Sequence, residues 1–301
     1  GYKQLISKEV TAYFEAESMM VRYCEVDMNE NSYNKLAQGN TGYAYSFIVK
    51  QIKDLKLTPA QIALDPCSGS VVLTDPNTGN TLALVTYPSY DNNYLSGTVD
   101  PEYWAKLLDD SSEPLYNRAT QTTLAPGSTF KMVSAIAGLE EGVITTDEYI
   151  NAVGLFDKVT PNAKCWIYPG RHGATNLVKA LGVSCNYYFY EVGYRLGTID
   201  EENFSNELGL SRLKKYADQL GLTSKSGVEI QESEPLFSTE SVVRSAIGQG
   251  KHGYTPTQLA RYISTLANNG NNYALTLIDR IVAKDGTVIL EQTPKLDNTV
   301  E

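Results

Sequence analysis

The sequence predicts a mixed α/β (α+β) fold, an antiparallel sheet flanked by helices, on three observations. The first is a hairpin. Val71-Val72-Leu73-Thr74 and Thr81-Leu82-Ala83-Leu84-Val85 are β-rich runs on either side of Asp75-Pro76-Asn77-Thr78-Gly79-Asn80, and an Asp/Pro/Asn/Gly cluster between two such runs marks a turn. The second is the apolar stretch from Ser128 to Gly142. Pro126-Gly127 in front and Gly142 behind are helix punctuation, so a central helix buried nearly all round is expected there. The third is Thr255-Pro256-Thr257-Gln258, a capping box with proline at the first helical position. Leu259, Tyr262, Ile263 and Leu266 then fall on one face until Asn269-Gly270 stops the helix.

The remaining elements follow in chain order. Residues 1–66 are polar and tyrosine-rich, helical-looking at 6–20 and 43–57, and carry no recognisable chemistry. They read as a flanking segment, with one main domain over 67–301 whose sheet starts at Val71. Between Tyr87 and Gly127, prolines and Asp109-Asp110-Ser111-Ser112 without sustained periodicity predict a long, partly irregular connection. A further helix is expected over 176–196, interrupted near Gly182 and carrying Tyr187, Tyr188, Phe189 and Tyr190. Residues 278–291 read as a second hairpin turning at Lys284-Asp285-Gly286, and no internal repeat is present.

Composition narrows the function classes. A hydrophobic share of 42% and a charged share of 20% are ordinary for a globular protein. No apolar run approaches the roughly 18 residues of a membrane span, and no signal-peptide pattern starts at Gly1. A net charge of −10 without a basic patch argues against nucleic acid and anionic membrane surfaces as partners. Cys24, Cys67, Cys165 and Cys185 form no CxxC pair, and His172 and His252 are the only histidines. No metal site is therefore expected. Cys165 and Cys185 would pair only in an oxidising compartment, and buried thiols are the expected state.

A serine hydroxyl needs a base within hydrogen-bond reach to act as a nucleophile, and with two histidines in the chain that base need not be histidine. Ser128 and Lys131 stand three apart at the start of a predicted helix, so they share a face. Burial of that helix would lower the lysine pKa and leave a neutral amine able to take the hydroxyl proton. The helix N-terminus adds positive potential where negative charge develops. Ser-x-x-Lys alone is a weak signal; its neighbours carry more.

Pro126-Gly127-Ser128-Thr129-Phe130-Lys131 resembles the active-site serine block of penicillin-binding proteins, and Ser184-Cys185-Asn186 resembles their Ser-x-Asn motif. Asp75-Pro76-Asn77-Thr78-Gly79, Tyr87-Pro88-Ser89-Tyr90-Asp91, Asn117-Arg118-Ala119-Thr120, Ala246-Ile247-Gly248-Gln249-Gly250 and Thr255 to Ala260 match in the same order. The resemblance covers about Cys67 to Glu301. Lys164-Cys165-Trp166, His172-Gly173 and Ser184 to Tyr190 look most like the elongation-type, monofunctional class B enzymes.

The resemblance implies the penicillin-binding transpeptidase and β-lactamase-like fold, with a helical subdomain. It implies a D,D-transpeptidase in which Ser128 attacks the D-alanyl-D-alanine carbonyl and Lys131 is the base. Ser184 relays a proton to the leaving D-alanine, and Asn186 holds the substrate peptide. No cofactor is implied. The implied partners are peptidoglycan stem peptides, β-lactam antibiotics and cell-wall synthesis proteins, at the extracytoplasmic face of a bacterial membrane, with an anchoring segment outside this chain. A β-lactam sensor or β-lactamase-like domain, or an inactive structural module, would share parts of the pattern.

The family's third motif, Lys-[Ser/Thr]-Gly, lies on a strand beside the serine and follows the Gly248-Gln249-Gly250 and Thr255-Pro256 blocks. Lys225-Ser226-Gly227 precedes them in a polar run, so it is expected to be a decoy. Lys284-Asp285-Gly286-Thr287 has Asp where a small hydroxyl residue belongs. The catalytic copy is then expected outside these residues, with an incomplete sheet and little turnover by this chain alone. Gly248-Gln249-Gly250-Lys251-His252-Gly253 is literally GxGxxG, but no strand-to-helix context or downstream acid supports a dinucleotide site. His172 is expected to be structural rather than a base, and the Tyr187 to Tyr190 run to be core and cleft wall.

Overall fold

The computed structural model describes residues 30–54 and 68–300. The helix expected over 6–20, and Cys24 and Cys67, lie outside the described residues. By compactness the chain divides into two units, one of residues 1–69 and 87–115, the other of residues 70–86 and 116–301.

In the first unit, α1 (Glu30–Ala37) and α2 (Thr41–Lys53) pack as a pair. Leu36, Ala44, Phe47 and Ile48 are buried, and the Tyr43 hydroxyl donates to Ser32 Oγ at 2.8 Å. The stretch expected to be irregular contains α3 (Pro101–Asp109). Its start was readable locally: Asp100 caps the backbone N–H groups of Glu102 and Tyr103, and Pro101 occupies the first helical position.

In the second unit, β1 (Gly69–Thr74) and β2 (Thr81–Tyr87) form the expected hairpin. Asp75 closes the turn by accepting from the Asn77 N–H through its side chain and from the Gly79 N–H through its carbonyl. Antiparallel pairing continues as separate ribbons among the described residues: β3 (Ile150–Ala152) with β6 (Gly173–Thr175), and β4 (Leu155–Phe156) with β5 (Ala163–Lys164). Later come β7 (Asn271–Tyr273) with β10 (Leu296–Thr299), and β8 (Arg280–Val282) with β9 (Val288–Glu291). The last pair is the hairpin expected at Lys284-Asp285-Gly286. Among the described residues the expected main sheet is thus present as two-stranded pieces, and Val71, Leu73, Leu82 and Val85 are exposed on the first hairpin.

The core is helical. A short 3₁₀ turn (Gly127–Phe130) leads into α5 (Lys131–Glu140), which packs against α7 (Asn186–Gly197) and α8 (Asn206–Gln219). Before it, α4 (Arg118–Gln121) is capped by Asn117. The helix expected over 176–196 is broken where Gly182 suggested, into α6 (Leu177–Gly182) and α7. After α9 (Val242–Ser245) comes α10 (Pro256–Ala267).

α10 begins with both halves of the predicted capping box: the Gln258 N–H donates to Thr255 Oγ1 at 3.2 Å and the Thr255 N–H to Gln258 Oε1 at 3.0 Å. The chain turns away from its end through Asn269 and Gly270, both at positive φ. Tyr262 is buried, whereas Ile263, expected beside it, is 45% exposed. Polar residues take that buried space instead, because Arg261, Thr257 and Thr265 are buried on the helix. Glu232, also buried, accepts from the Thr255 and Thr257 hydroxyls and from the Ser226 N–H. Thr255 therefore caps the helix and neutralises part of a buried carboxylate's desolvation at once. Thr255→Ala is expected to cost about 2 kcal/mol, the sum of a lost cap and a lost buried hydrogen bond. Thr255→Ser should cost less than half of that in urea denaturation, and equal losses would show that the methyl group, not the hydroxyl, matters.

Candidate active site

The backbone around Ser128 is clamped from three sides. Gly127 lies at φ +57°, and its N–H donates to the Gly248 carbonyl at 3.0 Å. A Cβ on Gly248 would sit 2.1 Å from the Gly127 oxygen, so this close approach admits glycine alone. The Tyr262 hydroxyl donates to the Thr129 carbonyl at 3.0 Å, and Ser134 Oγ donates to the Ala246 carbonyl at 2.7 Å. Ser128 belongs to the 3₁₀ turn rather than to the first turn of the α-helix expected from the sequence. The difference helps the pair, since side chains three apart eclipse in a 3₁₀ turn. Lys131 Nζ stands 3.2 Å from Ser128 Oγ.

Ser184 is positioned by the end of α6. Its N–H donates to the Leu181 carbonyl at 3.1 Å, and the Cys185 N–H donates to the Ala180 carbonyl at 2.8 Å. With Val183 as the C-cap, these are the two bonds of a Schellman motif. Ser184 occupies its left-handed position, at φ +51°, where glycine is usual. That conformation turns the side chain toward Ser128: Ser184 Oγ donates to Ser128 Oγ at 2.8 Å. Cys185 caps α7, its sulfur accepting from the Tyr188 N–H at 3.4 Å. Asn186 opens that helix.

These elements converge on one amine. Besides Ser128 Oγ, Lys131 Nζ lies within hydrogen-bond distance of Ser184 Oγ and the Ser184 carbonyl, each at 2.9 Å, and of Asn186 Oδ1 at 2.6 Å. The Phe189 ring lies 5.7 Å from the nitrogen, and Lys131 is only 2% exposed, while Ser128 is open to solvent. Burial lowers the Lys131 pKa to about 8, with the nearby Cys165 and Cys185 thiols acting weakly in the opposite direction. All four residues singled out in the sequence are thus joined in one hydrogen-bonded group.

The remaining sequence features lie elsewhere. Lys225 pairs with Glu234 at 2.8 Å, Ser226 is fully buried against Glu232, and Gly227 packs on Ala274. The triplet therefore secures a loop beside α10, and none of its bonds among the described residues reaches Ser128. Gly248 of the GxGxxG string is spent on the Gly127 contact. Tyr188, Phe189 and Tyr190 are buried, and Phe156 packs among Tyr187, Tyr190 and Tyr194.

One grouping had no sequence signal. Cys165, His172 and Cys185 bring two sulfurs and an imidazole nitrogen within 4.8 Å of one another, a donor set that suits a soft divalent ion. Cys165 and His172 come from the loop between β5 and β6 and Cys185 from the turn before α7, at no motif spacing, and the structure brings them together only by folding 163–173 over the start of α7. Both cysteines are free thiols. The hydrogen bond between the two sulfurs, with neighbouring backbone N–H groups, lowers the Cys165 pKa, while the Cys165 sulfur and burial push Cys185 up.

Residues 69–300 match the family described as penicillin binding protein transpeptidase domain. The chain is 31% identical over 281 residues to the peptidoglycan D,D-transpeptidase MrdA of Haemophilus influenzae, covering 80% of this chain and 41% of that protein. It superimposes with a TM-score of 0.66 on penicillin-binding protein A from M. tuberculosis, solved as its penicillin G acyl-enzyme complex, at 28% identity, covering 78% of this chain and 54% of that one. A chain of a peptidoglycan synthase complex that coordinates polymerization and crosslinking gives 0.67 at 28% identity, covering 85% and 43%. The chain thus spans about two-fifths of the length of such curated relatives.

The left-handed backbone at Ser184 separates hydroxyl from conformation. Ser184→Gly should be more stable than Ser184→Ala by about 1 kcal/mol in thermal or urea denaturation, because only alanine bears the steric cost of positive φ. Equal stabilities would mean that this conformation is not held in solution.

Proposed function

This chain belongs to the penicillin-binding protein transpeptidase family, and we propose that it carries the acyl-transfer site of an elongation-type peptidoglycan D,D-transpeptidase. The observation that carries the reading is the hydrogen-bonded group of Ser128, Lys131, Ser184 and Asn186 around one buried amine. Neutral Lys131 takes the Ser128 proton as the hydroxyl attacks the carbonyl of the D-alanyl-D-alanine bond. Ser184, bonded to both Ser128 and Lys131, returns a proton to the departing D-alanine nitrogen. Asn186 steadies the lysine through Oδ1 and also hydrogen-bonds Tyr190, which leaves one amide N–H for the peptide. An amine of a neighbouring stem peptide then resolves the acyl-enzyme. A β-lactam, whose ring stays attached after opening, would leave Ser128 acylated.

The domain assigned to this chemistry is residues 67–301. The family's third Lys-[Ser/Thr]-Gly copy is assigned to neither Lys225-Ser226-Gly227 nor the Lys284 hairpin. Stem peptides, β-lactams and other cell-wall synthesis proteins are the proposed partners, a reading supported by the acyl-enzyme and synthase-complex relatives. The proposed location is the extracytoplasmic face of a bacterial membrane, where that substrate lies. Among the described residues no helix is long and apolar enough to cross a membrane.

Two measurements test the site. A fluorescent penicillin should label the protein with long-lived adduct, and Ser128→Ala should abolish labelling; rapid release would favour a hydrolase, and no label on the parent protein a structural module. The labelling rate should also report Lys131. A base must be unprotonated, so with a pKa of about 8 the rate should climb about tenfold per pH unit below that value and level off above it. A rate still climbing through pH 9.5 would mean that Lys131 keeps an ordinary lysine pKa.

A further inference from the structure

Trp166 is 62% exposed, so its ring is not there to fill the core. Its indole N–H nevertheless points inward, to the Val183 carbonyl at 3.2 Å and the Ser184 carbonyl at 3.1 Å. Both carbonyls belong to the turn that ends α6, where no further helical N–H reaches them. The Ser184 carbonyl is the same oxygen that accepts from Lys131 Nζ at 2.9 Å. The indole is held in turn from behind: Cys165, the preceding residue, is buried, and the His172 ring meets the indole edge-on with centroids 5.5 Å apart.

We propose that Trp166 is a positioning residue for acyl transfer, its indole N–H fixing the left-handed Ser184 peptide so that the Ser184 hydroxyl and carbonyl face Ser128 and Lys131. The role rests on the reading of Ser128, Lys131 and Ser184 given above. Ser184 holds a backbone conformation that serine rarely adopts, and the Schellman bond from the Cys185 N–H anchors the Ser184–Cys185 peptide unit at its N–H edge. Trp166 fixes the carbonyl side. Without that bond the Ser184 peptide is held only by the Cys185 N–H and by Lys131 and can tilt about them, which loosens two of the four contacts of Lys131, to the Ser184 carbonyl and to Ser184 Oγ.

The test separates the hydrogen bond from the ring. Trp166→Phe removes the N–H and part of the ring; replacing Trp166 by 3-benzothienylalanine keeps ring shape and puts sulfur where the N–H was. Both proteins should bind a fluorescent penicillin with unchanged initial affinity and undergo the first-order acylation step about tenfold more slowly, the effect of one lost hydrogen bond, with melting temperatures near that of the parent. Acylation of the benzothienyl protein at the parent rate overturns the proposal. So does a loss confined to initial affinity, which would make Trp166 a substrate contact. A second readout needs no activity: the indole N–H resonance that vanishes in Trp166→Phe should exchange slowly with solvent despite the exposed ring. If the parent protein takes no label, the acyl-transfer reading fails. The exchange rate then decides the clamp separately, fast exchange overturning it.

Discussion

Everything near Ser128 depends on keeping the Lys131 amine out of water. A buried ammonium is costly, and the cost falls either by losing the proton or by supplying oxygen partners. Here both apply: burial brings the pKa to about 8, and four oxygens stand within 3.2 Å of the nitrogen. On the proposed acyl-transfer reading, the first effect makes a base available near neutrality. The second prevents the amine from collapsing onto a single acceptor.

The fold reads as the means of delivering those oxygens from three separate segments. The 3₁₀ turn before α5 supplies Ser128 on the lysine's own face. The C-terminal turn of α6 supplies Ser184 twice, through hydroxyl and carbonyl, and the first residue of α7 supplies Asn186. Gly248 and Tyr262 lock the first segment, while the break at Gly182 creates the second and third. A continuous helix over 176–196 would have placed Ser184 in the right-handed region with its N–H and carbonyl consumed, and no hydroxyl would reach Ser128.

The parts of this arrangement written in local chemistry were legible in the sequence. The Asp75 to Asn80 turn, the Thr255 capping box and the break near Gly182 depend on neighbours within a few residues, and each is found where expected. Ser128, Lys131, Ser184 and Asn186 were legible because motif order preserves what geometry demands. What failed depended on distant partners. Ile263 had the right spacing for burial, but the space beside Tyr262 is occupied by Arg261 and the Glu232 network, which no periodicity announces. Lys225-Ser226-Gly227, expected as a decoy, has the right letters without a strand: the Ser226 N–H is bound to buried Glu232 and Gly227 lies against Ala274 and Leu275. Cys165, His172 and Cys185 had neither order nor spacing, and only the crossing of two loops brings them together. Trp166 belonged to a recognisable block, yet its role depends on where one indole N–H points.

Proton counting explains why an asparagine and a backbone carbonyl are both needed. A neutral amine has two N–H donors and one lone pair. The Asn186 Oδ1 and Ser184 carbonyl contacts can only accept, so they take the two N–H groups. The lone pair is then left for the two hydroxyls. Ser184 Oγ donates to Ser128 Oγ, which leaves the Ser128 proton as the one directed at the amine. Once Lys131 is protonated its third N–H has two hydroxyl oxygens in reach, Ser128 at 3.2 Å and Ser184 at 2.9 Å. In the proposed reaction the closer Ser184 is therefore the exit for the proton after Ser128 has become an ester oxygen. Remove either fixed acceptor and the amine can turn, so that the lone pair no longer has to face the nucleophile. Direction in this site comes from two groups that never change protonation state, and the groups that do change it are directed by them.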